Sequence, residues 1–347
     1  MENQVYVGLD YHPSSIQVCV VDGAGRILRN TSVPNTVADV GRAVSGLGPV
    51  GAVTIEACCG AADLAEALRR EAGWPVELAH AGYVHRMKGN PDKSDYGDAR
   101  LLAELGRTGF VPRVWLAPRP IRELRALVGY RQQLAHERRA VKVRILALLR
   151  EQRVRPEEPL RRWTLAWMGW LRREAALSAQ ARWIVERHLE RLETLDEDIQ
   201  AVEERLAEAT ADDPVVARLR AQPGIGPVTA WVMRAQIGWF DRFRSGKQLA
   251  RYCGVSPCNA SSGPRQADAG TIRAGDPILK AALVEAGHRL GRLDGRWKGL
   301  AAKLRRKGKP GSVVAMAIAN RWVRWLYHRM REVSETGVAP PALRPAA

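Results

Sequence analysis

Four acidic residues near the start of the sequence have types and a spacing that suit metal-dependent phosphodiester chemistry. Asp10 falls late in a stretch rich in β-formers, and Glu56 ends another such stretch. Asp95 and Asp98 begin an apolar helical pattern, and their spacing of three places them on one helix face. Acidic residues are also common in the first turn of a helix because of its dipole, so this pair alone is weak evidence.

The set of four is stronger evidence than the pair if the fold brings its members together. Clustered carboxylates repel one another unless cations lie between them, and hard oxygen ligands suit Mg²⁺ or Mn²⁺. Two such ions about 4 Å apart can hold the attacking and leaving oxygens of a phosphodiester. From spacing alone, the four acids could form a metal centre. They could equally be the cap of a helix and ordinary surface acids.

A serine beside a glycine is the second candidate for chemistry, in Ser261-Ser262-Gly263-Pro264-Arg265. A flexible backbone and nearby cations favour the approach of a phosphate, which would let this serine act as a nucleophile. Ser-Gly is also a common turn sequence, so the residues by themselves favour a turn.

The elements that must position the acids follow the order β-β-β-α-β-α-β-α in a predicted domain of residues 1–118. The patterns predict strands over 5–10, 16–21, 26–33, 52–56 and 75–79, the last strand, and helices over 37–46 and 61–70. This is the order of an RNase H-like (RuvC-like) α/β sheet, whose first and fourth strands are adjacent and whose last helix packs beside them. The four carboxylates would then converge.

The middle of the chain, residues 119–210, is predicted to form long helices. Leucine, valine and isoleucine recur every seven residues in two series: Leu127, Leu134, Val141 and Leu148, then Val185, Leu192, Ile199 and Leu206. Heptads flanked by Glu and Arg predict coiled-coil packing. A hairpin within the chain and a dimer are both open.

Residues 211–335 form a predicted, mostly helical third domain, and residues 336–347 a disordered tail. Pro223-Gly224-Ile225-Gly226-Pro227 resembles a helix-hairpin-helix turn, with two glycines for a tight bend and Pro227 at the first position of a helix. Such a turn binds phosphate through backbone amides without reading the base sequence. A simple helix–helix turn is the alternative.

Charge is unevenly distributed, with a formal net charge of +17 and a pI of about 10.3. Residues 1–118 carry 11 basic and 13 acidic side chains, whereas the remainder carries 43 and 24. The basic remainder predicts a polyanion partner, most often nucleic acid. The candidate contact residues are Gly224, Gly226, Lys247, Arg265, Arg273 and Lys280.

Composition excludes several classes of protein. The chain is 46% hydrophobic and 26% charged, which is ordinary globular usage. The sequence contains no uncharged apolar run of about 18 residues, the length that a membrane span requires. Its start also lacks the profile of a signal peptide. We therefore expect a cytoplasmic protein. The five cysteines form no CxxC pair, which argues against a zinc site and predicts buried or inert thiols.

Together the motifs resemble a known family. Asp10, Glu56 and the segment Lys93-Ser94-Asp95-Tyr96-Gly97-Asp98-Ala99 are similar to the DEDD acidic set of insertion-sequence transposases with a RuvC-like N-terminal domain. Pro223 to Gly226, Gly254-Val255-Ser256-Pro257, Ser262-Gly263 and residues 270–276 resemble that family's C-terminal transposase domain. The resemblance covers about residues 4–295.

The resemblance implies a DNA recombinase that moves an insertion element, guided in some members by a structured bridge RNA. It implies that the four carboxylates bind Mg²⁺, or Mn²⁺, and that Ser262 attacks DNA to form a phosphoserine link. Ser261 is the alternative nucleophile, and Pro264 departs from the residues usual at its position. Members assemble as dimers of dimers around RNA and two DNAs, the element end and the target.

Two other functions are open. A RuvC-type nuclease that hydrolyses branched DNA with water needs the four carboxylates but no serine. A non-enzymatic helix-hairpin-helix DNA-binding protein needs neither. Metal dependence separates the two enzymes from the binding protein, and a covalent protein–DNA adduct separates the recombinase from the nuclease.

Overall fold

A computed structural model describes residues 4–88, 94–259, 268–272, 275–293 and 295–334. The chain separates into two units, Met1–Pro118 and Arg119–Ala347. No helix in these described ranges is both long enough and apolar enough to cross a membrane. The predicted disordered tail, 336–347, lies outside the described residues.

The first unit is a mixed sheet with helices, which confirms the predicted α/β class, and helices cover both of its faces. Its elements are β1 (Val5–Tyr11), β2 (Ser15–Val21), β3 (Ile27–Pro34), α1 (Val37–Val44), β4 (Val50–Glu56), α2 (Ala61–Glu71), β5 (Val76–Ala79), α3 (Ala81–Met87), α4 (Asp95–Thr108) and β6 (Arg113–Val114). The strand order is β3-β2-β1-β4-β5-β6. The adjacency of the first and fourth strands is therefore confirmed.

Two elements were missed by the sequence analysis. The prediction that 75–79 is the last strand is wrong, because β6 pairs antiparallel with β5 at the sheet edge through Leu78 and Val114. The short helix α3 precedes the final helix and packs Val84 against Leu102 and Leu105 of α4. Both are too short to show a periodic pattern in the sequence.

Strand alternation separates an apolar face of the sheet from the face that carries the acids. On one face, Val5, Val7 and Leu9 of β1 pack with α1 and α2. The opposite face meets α4, where Cys19 and Val21 of β2 contact Ala99 and Ala103. Because side chains alternate along a strand, Asp10 in β1 and Glu56 in β4 both lie on the α4 face.

The helix α4 approaches the sheet more closely than a side chain would permit. A Cβ atom on Gly8 of β1 would lie 2.0 Å from the carbonyl oxygen of Ala99 and 2.4 Å from the amide nitrogen of Ala103. Further along α4, a Cβ on Gly106 would lie 2.7 Å from the hydroxyl of Thr54 in β4. The two glycines therefore set the height of α4 above β1 and β4.

The second unit is almost entirely helical. Its elements are α5 (Arg119–Glu151), α6 (Leu165–Arg173), α7 (Ala179–Ala209), α8 (Pro214–Arg220), α9 (Pro227–Ile237), α10 (Gly246–Tyr252), β7 (Pro257–Asn259), β8 (Asp268–Thr271), α11 (Pro277–Leu293), α12 (Gly295–Arg306) and α13 (Gly311–Ser334). The strands β7 and β8 pair antiparallel as a short ribbon.

The two longest helices, α5 and α7, pack against each other within the chain. All four residues of the second heptad series are buried, as are Leu134 and Val141 of the first. Ion pairs join Arg131 to Glu203 at 2.6 Å and Arg138 to Asp196 at 2.6 Å, so the helices run antiparallel. Partly exposed pairs contribute roughly 0–1 kcal/mol each, so the apolar seam dominates the contact. Coiled-coil packing in detail stays a prediction.

The predicted hairpin turn joins α8 to α9. Gly224 adopts a φ of +75° and Gly226 precedes Pro227, the first residue of α9. From α11, the guanidinium of Arg289 donates to the carbonyl oxygen of Gly224 at 2.8 Å and to the hydroxyl of Thr229 at 3.1 Å. The left-handed turn requires its glycine. Whether the motif functions as a helix-hairpin-helix stays a prediction.

A single hydrophobic cluster includes residues of α5, α7 and the helices that follow them. The predicted division of the chain into domains at residues 118, 210 and 335 stays a proposal.

The cysteines differ in their surroundings. Cys19 and Cys253 are buried, but Cys58 and Cys59 are exposed, so burial does not account for these two thiols.

We expect Gly8→Ala to lower the free energy of unfolding by about 1–3 kcal/mol or more, the cost of overpacking, because the new methyl group would overlap the backbone of α4. Chemical denaturation followed by circular dichroism measures this. The matched control is Gly41→Ala in α1, where a Cβ meets nothing within 4 Å. That control should be neutral or stabilising by up to about 1 kcal/mol. Equal stability of Gly8→Ala and wild type would contradict the argument.

Candidate functional site

Three elements of the first unit carry the four predicted acids. Asp10 lies near the end of β1, and Glu56 is the last residue of β4. The parallel register pairs Leu9 with Ile55, so Asp10 and Glu56 follow on neighbouring strands. Asp95 and Asp98 occupy the first turn of α4, whose start is capped by the Ser94 side chain. The sheet and α4 thus bring the acids to one edge, as the sequence predicts.

A histidine joins two of these acids. The Nε2 atom of His12 lies 3.4 Å from an Oδ2 atom of Asp10 and 3.4 Å from an Oδ2 atom of Asp95. The side chain of Asp10 is 17% exposed, whereas that of Asp95 is 51% exposed. One donor atom from each of the three residues lies within 4.8 Å of the others.

Two of these donor atoms lack the partners that buried polar atoms normally have. Asp10 Oδ2 and His12 Nε2 are buried and make no hydrogen bond of normal geometry. An unsatisfied buried polar group costs about 1–3 kcal/mol. A divalent cation bound between them would satisfy both atoms at once.

The donor set fits a divalent cation. Ligand atoms at about 2.0–2.6 Å from one ion lie at most about 4–5 Å apart, which is close to the observed spacing. Carboxylates suit Mg²⁺ and Mn²⁺, and an imidazole favours a transition metal such as Mn²⁺ over Mg²⁺. The cluster formed by Asp10, His12 and Asp95 is hereafter the metal triad.

The other two predicted acids have different surroundings. Asp98 is 13% exposed and its Oδ2 accepts from the ammonium of Lys88 at 2.7 Å. Glu56 is not among the donors that converge on His12 in the described part of the chain. It is near enough to interact electrostatically with Cys58, as is Asp10. The structure therefore brings Asp10, Asp95 and Asp98 together, with Lys88 on Asp98, and places Glu56 on the strand next to Asp10.

The surroundings of Asp10 disfavour the ionised form of its carboxyl group. Burial raises the pKa of the Asp10 carboxyl, repulsion from Asp95 and Asp98 raises it further, and the His12 imidazole lowers it. The folded protein thus holds this proton more tightly than the unfolded chain does. Ionisation of Asp10 therefore destabilises the fold as the pH rises through the unfolded and then the folded pKa.

His12 and Lys88 were missed by the sequence analysis. A signal existed for His12, because it follows Asp10 by two residues, the spacing of one face in an extended chain, and lies directly after the end of β1. No comparable signal identifies Lys88, which lies just after α3 and reaches Asp98 only through the tertiary fold.

The predicted residues of the second unit are spread over separate places. Lys247 is exposed on α10. The ammonium of Lys280 donates to the hydroxyl of Thr271 at 2.9 Å and to the carbonyl oxygen of Ile272 at 3.3 Å, so it supports the end of β8.

The predicted nucleophile lies outside the described residues. Ser262, its alternative Ser261 and the predicted contact Arg265 fall in 260–267, and Arg273 falls in 273–274. The residues that flank the serines, Asn259 and Asp268, pair across the ribbon of β7 and β8. The serine segment therefore connects two paired strands.

A mixed sheet with carboxylates at the ends of its two central strands and on the adjacent helix is consistent with the RNase H-like class of metal-dependent nucleic-acid enzymes. Comparison with known proteins supports the assignment. The sequence model of the family of DEDD transposases of the IS110 type matches residues 7–153. The sequence model of the transposase IS116/IS110/IS902 family matches residues 216–301.

Two relatives match most of the chain. The transposase for insertion sequence element IS1111A of Coxiella burnetii is 25% identical over 97% of this chain and 93% of its own length. A Pseudomonas aeruginosa protein named "Probable family 20 transposase" is 28% identical over 79% of this chain and 82% of its own.

The chain belongs to the IS110 family of DEDD insertion-sequence transposases. It is therefore an enzyme that acts on DNA to move an insertion element. Membership also implies the use of a divalent metal ion, for which the metal triad is a fitting site.

We expect Asp10→Asn to raise the melting temperature of the metal-free protein at pH 7, because it removes a charge from a self-repelling cluster. The rise should be of the order of a few degrees. In the wild type, millimolar Mn²⁺ should raise the melting temperature by binding the folded state. In Asp10→Asn that response should be lost.

Circular dichroism melts with EDTA and with Mn²⁺ measure both effects. The control is Asp212→Asn, an exposed aspartate between α7 and α8, which should leave both unchanged. A lower metal-free melting temperature combined with a wild-type response to Mn²⁺ would rule out a metal at Asp10.

Proposed function

We propose that this transposase cleaves and exchanges DNA strands with Mg²⁺ or Mn²⁺ held by the acids of the first unit and with Ser262 as the nucleophile. The observation that carries the metal part is the pair of buried, unsatisfied donors on Asp10 and His12. The family's acidic set, mapped onto Asp10, Glu56, Asp95 and Asp98, supplies the oxygen ligands.

The chain's own residues have separate tasks in this mechanism. The metal triad would hold an ion at the end of β1, and Lys88 would orient the Asp98 carboxylate through their 2.7 Å contact. A bound divalent ion supplies Lewis acidity and stabilises the charge that develops on phosphoryl oxygens. The serine oxygen would form a bond to phosphorus while the bond from phosphorus to a DNA oxygen breaks, and the proton lost by the serine hydroxyl would balance the proton gained by the released DNA hydroxyl.

The serine step explains why no external energy source is needed. A phosphoserine ester keeps the energy of the broken phosphodiester, so a DNA hydroxyl can attack it and restore a strand. Hydrolysis by water would instead leave free ends and lose that energy. The two outcomes separate a recombinase from a RuvC-type nuclease.

The basic remainder supports nucleic-acid binding beyond the reacting strand. It carries 43 basic against 24 acidic side chains. Contact with phosphates is the main source of sequence-independent affinity. We therefore propose that a structured bridge RNA guides the enzyme and that its DNA partners are the element ends and the target. We also include homodimers that assemble into a tetramer, because two DNAs must be held together.

We expect His12→Ala to weaken the binding of Mn²⁺ by at least about tenfold, because it removes a ligand atom and even residues that only orient ligands cost about 10–100-fold when removed. Mg²⁺ binding should change less, because Mg²⁺ prefers oxygen ligands. Calorimetric titration of the full chain, with electron paramagnetic resonance of Mn²⁺, measures the change. His136→Ala, an exposed histidine on α5, is the control. Equal affinities in all three proteins would remove His12 from the site.

We expect Ser262→Ala to abolish both strand exchange and the covalent protein–DNA adduct, while DNA binding survives. Ser261→Ala, the neighbouring control, should have a much milder effect. A denaturing gel with labelled DNA and Mg²⁺ detects the protein-linked band. An adduct in Ser262→Ala would move the nucleophile elsewhere, first to Ser261. Cleavage without any adduct in the wild type would favour the water-using nuclease.

A further inference from the structure

A cleft of about 870 Å³ opens in the second unit between α10, α12 and α13. Aromatic and cationic side chains make up most of its lining. Every charged residue in that lining is basic: Arg244, Lys247, Arg296, Arg321, Arg324 and Arg331. A surface this uniform in charge attracts a polyanion and repels other cations.

The walls of the cleft are held by close contacts. A Cβ atom on Gly246 would lie 2.8 Å from the carbonyl oxygen of Arg324, so α10 packs directly on the backbone of α13. The buried Tyr327 hydroxyl donates to the carbonyl oxygen of Phe243 at 2.7 Å. Arg321, Arg324 and His328 recur at helical spacing on α13, so they line one wall.

An aromatic ring lies among these cations. Trp325 of α13 is partly exposed in the cleft. The guanidinium carbon of Arg329 lies 5.1 Å from the centroid of its ring, and that of Arg296 lies 5.9 Å away. An aromatic face beside guanidinium groups is the arrangement by which proteins bind unpaired bases and their phosphates together.

We infer that this cleft binds an unpaired segment of nucleic acid, with one base stacked on Trp325 and adjacent phosphates on Arg321, Arg324 and Lys247. The inference rests on the proposed action on nucleic acid. It adds to that proposal the place of a binding site and the single-stranded state of the bound segment. The volume is that of a pocket for a small ligand, about 300–1,000 Å³, rather than that of a duplex. Bases inside a duplex are not available for stacking on a side chain unless they are flipped out.

The aromatic ring also argues for nucleic acid over an acidic peptide. Carboxylates could pair with the arginines, but an acidic peptide carries no base to stack on the partly exposed ring of Trp325. Each base presents a π-face, so stacking tolerates any sequence. RNA and single-stranded DNA share this chemistry, and the experiment distinguishes them.

The test measures the binding of labelled twelve-nucleotide strands to the full chain in EDTA, which removes metal-dependent cleavage. The strands are oligo(dT), oligo(U), an abasic strand of equal length and a duplex. The variants are Trp325→Ala, Trp325→Leu, which keeps apolar bulk, and the exposed pair Arg321→Ser/Arg324→Ser. The control Arg305→Ser/Arg306→Ser removes two charges from α12 outside the cleft. Circular dichroism melts verify that each variant is folded.

We expect both Trp325 variants to weaken the binding of at least one base-bearing strand by about tenfold, with the abasic strand and the duplex unchanged. The strand that loses more identifies RNA or DNA as the occupant, and equal losses assign both. The arginine pair should reduce the salt dependence, lowering the slope of log K against log salt by about 1.4. The α12 control should change strand affinity less than the cleft pair does.

Unchanged binding of both base-bearing strands in a folded Trp325 variant would overturn the inference. So would an equal loss for the abasic strand, or displacement of wild-type protein by polyglutamate as effectively as by oligo(dT), because either would indicate a general polyanion surface. Failure of the proposed function is a separate result, since Ser262→Ala or Asp10→Asn would then retain strand exchange while this binding in EDTA is unaffected.

Discussion

The backbone contact between α4 and β1 at Gly8 is the constraint on which the candidate metal centre depends. With only a hydrogen on Gly8, the helix lies at a height that any Cβ would prevent. The first turn of α4 then carries Asp95 to His12 and keeps Asp98 within electrostatic reach of Asp10. A small loss of this closeness would separate donor atoms that must lie within a few ångströms to share an ion.

Closeness of this kind has an electrostatic cost, which the fold offsets only in part. The Lys88 ammonium neutralises Asp98, and the imidazole of His12 lies between Asp10 and Asp95. Burial and repulsion nevertheless raise the pKa of Asp10. A cluster that is unfavourable for stability and suited to a cation is the arrangement expected where binding and catalysis, rather than stability, determine the residues.

The second unit differs in construction, and we propose that it holds polyanions rather than a small ion. An apolar seam joins its two longest helices, and its remaining helices share the same hydrophobic cluster. That core leaves arginines of α13 exposed, and helical spacing aligns them along one wall of the cleft. Long basic side chains beside partly exposed aromatic rings are the features on which the proposed binding of phosphates and bases rests.

The sequence by itself determined the fold class and the candidate acids. Strand and helix patterns predicted the element order except for the short β6 and α3, and the RNase H-like order predicted that Asp10 and Glu56 lie on adjacent strands. Tertiary structure alone decided which groups meet. Neither the contact of Lys88 with Asp98 nor the close approach at Gly8 has a local pattern, because each joins residues distant in sequence. A periodicity reports which side of an element is buried, whereas distances between donor atoms arise only when the elements pack.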